Sequence, residues 1–333
     1  LDLNHSRELL FYIGLSRRII KQASILQSSI KPNVFVIKGI KLYFLVMQKI
    51  KIKKLCLILN PKAGSQDHET VLKSIHKQLD HLKIEYLTYI SEHKGAISNF
   101  IQNENLEGFE GICVIGGDGT INEAVNGLMR SGKSKSVALG IIPRGSGNAF
   151  AEDLGELDPL RALKTILKGN VTPIDLFKID HKGEIYFAIN IIGWGMAAEV
   201  NILAEKLRWL GGIRYSVASL ISVMKMKRNR LDFVLDDTSF SGEGLFFLAL
   251  NTIHTGKGMK MAPYAILDDG LIDIILVKKA SKLRVLKIFT QLFSGNHIND
   301  PHVEYKQIKR FVLNTERDPL NIDGENMGVT PIQ

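Results

Sequence analysis

The chain has 333 residues, 45% hydrophobic and 23% charged, proportions that exclude a disordered tail or a collagen-like chain and leave room for two domains. Its net charge of +9 is concentrated at the front: residues 1 to 66 carry twelve Lys or Arg against Asp2 and Glu8, and the remainder is close to neutral. That distribution argues against a nucleic-acid-binding body, and two cysteines exclude a disulfide scaffold.

Between Glu8 and Asp67 there is no acidic residue. Residues 1 to 46 therefore read in three ways: an organelle-targeting leader, a membrane-surface contact, or an extension upstream of an initiator at Met47 without selected structure. The apolar run 34–47 is too short to span a bilayer, and Lys38 and Lys41 interrupt it, so no transmembrane helix is expected. From residue 53 the pattern becomes regular. Residues 55–59 form an apolar strand, and Val71, Leu72, Ile75 and Leu79 predict a helix over 69–81. A strand over 84–90, a helix over 97–103, a strand over 112–115, a helix over 121–129 and a strand over 137–142 follow. Cys56 and Cys113 fall in two of these apolar strands. Such alternation predicts a three-layer α/β domain over 47–170 with a mostly parallel sheet, whose ligands bind beyond the carboxyl ends of the strands.

After residue 171 the texture changes. Runs at 184–192, 231–236, 244–251, 271–278 and 308–313 read as strands, with helices near 197–226 and 281–294. Residues 171–333 are therefore expected to form an antiparallel β domain, with a ligand cleft against the first. Trp194 and Trp209 read as packing residues, and the nine histidines show no metal-ligand spacing.

Three loops follow predicted strands: Asn60-Pro61-Lys62-Ala63-Gly64-Ser65; Gly116-Gly117-Asp118-Gly119-Thr120, leading into Asn122 and Glu123; and Pro143-Arg144-Gly145-Ser146-Gly147-Asn148. Glycines let backbone N–H groups approach a phosphate, and a helix starting near Thr120 turns its positive end toward the same anion. One such loop alone is a tight turn; three at the ends of strands in one sheet point to a phosphate site. The P-loop spacing and the third glycine of a dinucleotide fingerprint are both missing.

These loops, with Asp268-Asp269-Gly270-Leu271-Ile272-Asp273 and Asp323-Gly324-Glu325, resemble the diacylglycerol kinase catalytic domain family, which includes sphingosine, ceramide and bacterial lipid kinases. The resemblance runs over about 54 to 331. It implies an α/β nucleotide domain followed by a β-sandwich, and an ATP- and Mg²⁺-dependent kinase acting on a hydroxyl of a sphingoid base, diacylglycerol or ceramide. By the same resemblance Asn60, Pro61, Lys62, Gly116, Gly117, Asp118, Gly119, Thr120, Asn122, Glu123 and Ser146 hold ATP, and Arg208 and Arg214 contact its phosphates. Either Asp118 or Glu325 is the general base. Asp268, the Leu271 carbonyl and Asp273 form a structural Mg²⁺ site. Glu199 stands where sphingosine and ceramide kinases use an aspartate to grip the lipid head, so here the carboxylate is one methylene longer. The implied partner is a lipid at a membrane surface, with no nucleic acid; a homodimer stays open. The implied location is cytoplasmic with peripheral membrane association, targeting by residues 1 to 46 being the alternative. Two rival functions are a soluble-substrate kinase of the NAD kinase type and a lipid-binding regulator without catalysis.

Overall fold

Strands covered on both faces need an apolar residue at nearly every position, and three runs of this chain meet that condition. The computed structural model, which describes residues 7–12, 48–64, 68–181, 183–226, 228–256, 258–315 and 318–332, makes them neighbours in one seven-stranded sheet. Its strands are β1 (Arg7–Tyr12), β2 (Gln48–Lys49), β3 (Lys54–Leu59), β4 (Glu85–Ile90), β5 (Gly111–Gly116), β6 (Ala138–Pro143) and β7 (Asn170–Asp175). They lie in the order β2-β7-β1-β6-β5-β3-β4. β4, β3, β5, β6 and β1 run parallel, while β7 is antiparallel to β1 and β2.

The period of two along each strand sorts its side chains into two layers. Cys56, Ile58, Ile112, Val114, Leu139 and Ile141 share a cluster with Ile97 and Ile101 of one helix and Ile121, Ala124, Val125 and Leu128 of another. Leu55, Leu57, Leu59, Cys113, Ile115 and Ile142 face the other way, onto Ile75, Leu79, Leu163 and Ile166. The helices are α1 (His68–His81), α2 (Ala96–Asn103), α3 (Asp118–Ser131), the short α4 (Ala149–Asp153) and α5 (Pro159–Ile166). Local sequence sets their ends. α5 starts where the Asp158 side chain accepts from Arg161 N at 2.8 Å with Pro159 next in line, and α3 stops at Gly132 with φ 70°. Both cysteines are fully buried, and burial pushes the Cys56 thiol up to about 12.

The second unit is built on antiparallel pairs. β8 (Phe177–His181) and β9 (Glu184–Ala188) form a hairpin. Beyond them come β10 (Ile191–Gly195), helices α6 (Met196–Lys206) and α7 (Arg214–Met224), β11 (Asn229–Leu235), β12 (Thr238–Gly244), β13 (Phe246–Leu250), β14 (Ile272–Val277), helix α8 (Lys282–Gln291), β15 (Glu304–Ile308), β16 (Phe311–Leu313), β17 (Pro319–Ile322) and β18 (Glu325–Val329). A six-stranded sheet, β15-β14-β13-β10-β17-β18, packs on a three-stranded one, β12-β11-β16. Ile192, Trp194, Phe247, Ile274 and Leu320 meet Leu231, Phe233, Phe311 and Leu313 between them, the core of a sandwich. β13 is apolar throughout because its alternate residues Phe246, Leu248 and Leu250 face Val223 of α7 and Val285 and Ile288 of α8.

Four expectations change. Arg7–Tyr12, inside the segment read as leader or extension, is a sheet strand between β6 and β7; the rest of residues 1 to 46 lies outside the described residues. The run 184–192 breaks between β9 and β10, where the N–H groups of Ile189, Asn190 and Ile191 turn to a carboxylate instead of a strand. The run 308–313 breaks for the same reason, since Asp236 accepts from Lys309 N and Arg310 N. The helical stretch 197–226 splits at a turn over Arg208–Ile213, in which Gly211 is non-helical at φ 56°. Among the described residues no helix is long and apolar enough to cross a membrane.

Candidate active site

Because β3, β5 and β6 are parallel neighbours, the loops at their carboxyl ends lie side by side. Direct contacts join them. Asn60 Nδ2 donates to Thr120 Oγ1 at 3.0 Å, and Asn60 Oδ1 accepts from Lys62 N at 2.9 Å. Arg144 N donates to Gly116 O at 2.7 Å. A Cβ on Gly117 would stand 2.7 Å from the Gly145 Cα, a contact that real side chains do not make. Asn148, at φ 54°, closes the third turn by accepting from Gly145 N and donating to Gly145 O. Gly117 caps α3, with Thr120 N donating to Gly117 O at 2.9 Å, and the positive end of that helix lies at the second loop. The structure thus brings Asn60, Pro61, Lys62, Gly116, Gly117, Gly119, Thr120 and Ser146 together at one edge of the sheet, with Pro61, Lys62, Gly119 and Ser146 exposed.

The two candidate bases differ in what holds them. Asp118 opens α3, and its Oδ1 and Oδ2 accept from Phe150 N at 3.1 Å and Ala149 N at 3.2 Å, at the start of α4. Burial pushes its acidity down, raising the pKa, while those N–H groups act in the opposite direction. The carboxylate clamps the third loop to the second. Glu325 instead projects from a hairpin. Asp323 and Gly324 form a two-residue turn with φ 50° and 85° between paired Ile322 and Glu325. Glu325 Oε2 lies 2.6 Å from Lys94 Nζ, and its Oε1 lies 3.6 Å from where a Cβ on Gly119 would stand. A residue near the end of the chain therefore sits over the glycine-rich loop.

The turn beneath Glu325 is held by a buried carboxylate. Asp323 Oδ2 accepts from Ile189 N at 2.8 Å and from Asn122 Nδ2 at 2.7 Å; Oδ1 accepts from Asn190 N at 2.8 Å and Ile191 N at 3.0 Å. Asn122, expected to hold nucleotide, thus ties α3 to the second unit. Glu123, its neighbour, has Oε2 buried without a hydrogen-bond partner. Asn201 of α6 donates to Gly324 O at 2.8 Å, and Tyr215 OH reaches Asn201 Oδ1 at 3.5 Å. Beside Tyr215, Arg214 lies over the ring at 5.0 Å and 3.8 Å from Glu205 Oε1. Arg214 thus neighbours the tyrosine that reaches Asn201, the residue bonded to Gly324 O; the Arg208 side chain lies outside the described residues. Glu199 is exposed near the start of α6.

Asp268, Leu271 and Asp273 lie at the turn into β14. Asp273 is buried and accepts from Tyr305 OH and, at 3.1 Å, from Gln307 Nε2. Burial raises its pKa and the charge of Asp269 adds to the rise, against those two hydrogen bonds. Leu271 N donates to Asp269 Oδ1 and Gly270 N to Asp175 Oδ2. Among the described residues no group of three or more His, Cys, Asp or Glu is placed to hold a metal ion; what this turn offers a hard cation is oxygen donors alone.

Sequence reasoning missed two groups. Lys94 carries no motif; its only signal is its position after β4, at the same sheet edge. The second is a bridge at the far end of α4. Asp153 accepts from Ile253 N at 2.6 Å and pairs with His254 Nδ1, and Glu152 accepts from Gly258 N at 3.2 Å. Asp153 and His254 are both buried and 101 residues apart in sequence. One short helix thus has Asp118 at its start and the second unit at its end.

Residues 54–179 match the family model of the diacylglycerol kinase catalytic domain, and residues 190–333 match that of the YegS C-terminal NAD kinase beta sandwich-like domain. The chain is 32% identical over 285 residues to a diacylglycerol kinase of Bacillus subtilis (strain 168), covering 84% of this chain and 92% of that one. The chain belongs to the diacylglycerol kinase family. A second relative, the diacylglycerol kinase of Staphylococcus saprophyticus, is 30% identical with 84% and 91% covered. A crystal structure of a diacylglycerol kinase from Bacillus anthracis str. Sterne superposes with a TM-score of 0.69 at 27% identity, over 86% of this chain and 94% of that one. The protein is a lipid kinase enzyme with the two-part fold of that family, and a kinase uses ATP.

The glycine contact yields a test of whether these loops bind nucleotide. Gly117→Ala forces the second and third loops apart, and overpacking of this kind costs about 1–3 kcal/mol. The kinase is expected to show a KM for ATP raised at least ~10-fold. Steady-state kinetics with a fixed acceptor measure it, and an unchanged KM would separate this contact from nucleotide binding.

Proposed function

We propose that the kinase transfers the γ-phosphoryl group of ATP to a hydroxyl of a diacylglycerol-like lipid, with Glu325 as general base. The observation that carries this reading is the meeting of Glu325 with the glycine-rich loop, 3.6 Å from the Gly119 Cβ position. The phosphates rest on the N–H groups at the start of α3, with Lys62 and Ser146 beside them. The lipid hydroxyl oxygen attacks the γ-phosphorus, its proton passes to the Glu325 carboxylate, and the bond to ADP breaks with the electron pair leaving on ADP. Lys94 holds Glu325 over the loop, and Arg214 offers its fork to phosphate oxygens. Asp118 keeps the cradle assembled. Magnesium supplies charge neutralisation at the phosphates when bound with nucleotide. Asp268, the Leu271 carbonyl and Asp273 are the residues that would hold the structural ion, and an oxygen-only set fits that metal. Glu199 accepts hydrogen bonds from the lipid head. The acceptor would be met at a membrane surface on the cytoplasmic side.

A second reading has one specific support, the match of residues 190–333 to a sandwich described as NAD kinase-like; its acceptor would be soluble. A transfer assay with labelled ATP separates the two, using diacylglycerol, ceramide and a sphingoid base in detergent micelles beside NAD in solution. Label is expected on diacylglycerol. Label on NAD with none on any lipid would sink the lipid reading, and no transfer at all with intact ATP-dependent thermal stabilisation would indicate a regulator without catalysis.

A further inference from the structure

Five large apolar side chains stand out of the second unit along one ridge. Trp209 is 79% exposed, Ile213 60%, Leu220 51%, Met224 62% and Leu283 80%. Leu220 and Met224, four residues apart, share one face of α7, and Ile213, the residue before the helix, stands seven residues ahead of Leu220 at the same helical spacing. Ala218 and Ser222 bury the opposite face. Trp209 belongs to the turn that leads into α7. Lys282 Nζ donates to Met224 O at 2.6 Å, which brings the first turn of α8, and with it Leu283, alongside the end of α7.

The segments that carry this ridge are rich in bases, of which Arg214, Arg228, Arg230, Lys278 and Arg284 pair with Glu205, Glu243, Asp232, Glu304 and Asp300. From Lys206 to Leu231 there is no Asp or Glu and there are seven Lys or Arg; from Ile274 to Asn299 there is again no acid, with five Lys or Arg. Lys206, Lys225, Lys279, Lys282 and Lys287 are exposed. An exposed apolar crest rimmed by polar residues marks an interaction surface. Its basic rim selects an anionic occupant. A two-fold contact with a second copy would set lysines against their own counterparts.

We propose that this ridge docks the kinase on an anionic phospholipid bilayer. The apolar crest enters the boundary between head groups and acyl chains, and the lysines meet anionic head groups. Of these elements α7 carries Arg214 and Tyr215, and Tyr215 reaches Asn201 of α6, which holds Gly324, so docking brings the membrane surface toward the candidate site. The inference rests on the lipid-kinase reading for its purpose and on the ridge alone for its test.

Trp194 is fully buried with its Nε1 donating to Asp318, so changes in tryptophan emission report Trp209. The intact kinase is mixed with phosphatidylglycerol–phosphatidylcholine vesicles and with phosphatidylcholine vesicles, and followed by sedimentation and by quenching from brominated acyl chains. Binding is expected to the anionic vesicles, with Trp209 quenched and release in about 0.5 M salt. Leu220→Asp with Met224→Asp is expected to weaken binding at least ~10-fold, while transfer to a short-chain diacylglycerol dissolved as monomers keeps its kcat. Equal binding by the variant, or equal binding to both vesicle types, would overturn the docking. So would a fall in oligomeric state in the variant, by light scattering, with vesicle binding unchanged. Sedimentation decides the docking whatever the transfer assay yields; loss of transfer to every lipid would overturn the functional reading alone.

Discussion

Glu325→Gln is expected to lower kcat by at least ~100-fold while the KM for ATP and the unfolding midpoint change little. The amide keeps the size of the side chain and one acceptor but cannot take a proton. Glu325 is partly exposed and pairs with the exposed Lys94, so little folding free energy depends on its charge. Asp118→Asn separates the two carboxylates. Both Asp118 oxygens accept backbone N–H groups at the start of α4. An amide nitrogen there would face one of those donors and loosen the third loop. That variant is therefore expected to lose thermal stability and ATP affinity together with turnover. Near-normal turnover in Glu325→Gln would remove Glu325 from the proton transfer; lost turnover in Asp118→Asn with unchanged stability would return the role to Asp118.

The second large effect is on stability. Asp323→Ala leaves three backbone N–H groups, those of Ile189, Asn190 and Ile191, and the Asn122 amide without their acceptor. Each buried donor left unpaired costs about 1–3 kcal/mol, and local relaxation and entering water reduce the sum. A loss of about 3–5 kcal/mol is expected, as for other buried charged networks broken from one side. Urea unfolding measures it, and a shift below about 1 kcal/mol would mean the turn is held by other contacts. Turnover should fall as well, because Gly324 and Glu325 take their register from this carboxylate. Asp323→Asn keeps one good acceptor and is expected to lie between the two.

Much of this site was legible in the chain. The apolar runs of β3, β5 and β6 and the three small-residue loops after them carry their own physics: a strand buried on both faces must be apolar throughout, and a backbone that receives phosphate must be nearly bare. The pair Asp323-Gly324 was marked only by the family resemblance; the structure makes it a two-residue turn with both φ positive, which favours such residues. Lys94 was not, because one lysine in a polar loop has no spacing to mark it. Asp153 and His254 were not, because neither has a local partner and their pairing exists only once the two units meet. Trp209, read as a packing residue, is 79% exposed, whereas Trp194 is buried; an indole between apolar neighbours reads the same in sequence whether the face around it is covered or bare. The strand Arg7–Tyr12 was hidden for a related reason, since its pairing partners are more than a hundred residues away.

The sequence by itself determined the class of the fold and the three small-residue loops that follow its parallel strands, because each rests on residues close together in the chain, and the family resemblance marked the two carboxylates proposed as base. The tertiary structure decided what holds each of those carboxylates. It turns Asp118 inward to clamp α4 and sets Glu325 over the Gly119 loop beside Lys94. That choice depends on hydrogen bonds between residues as far as 231 positions apart, and only the packing of one unit on the other brings such partners within reach.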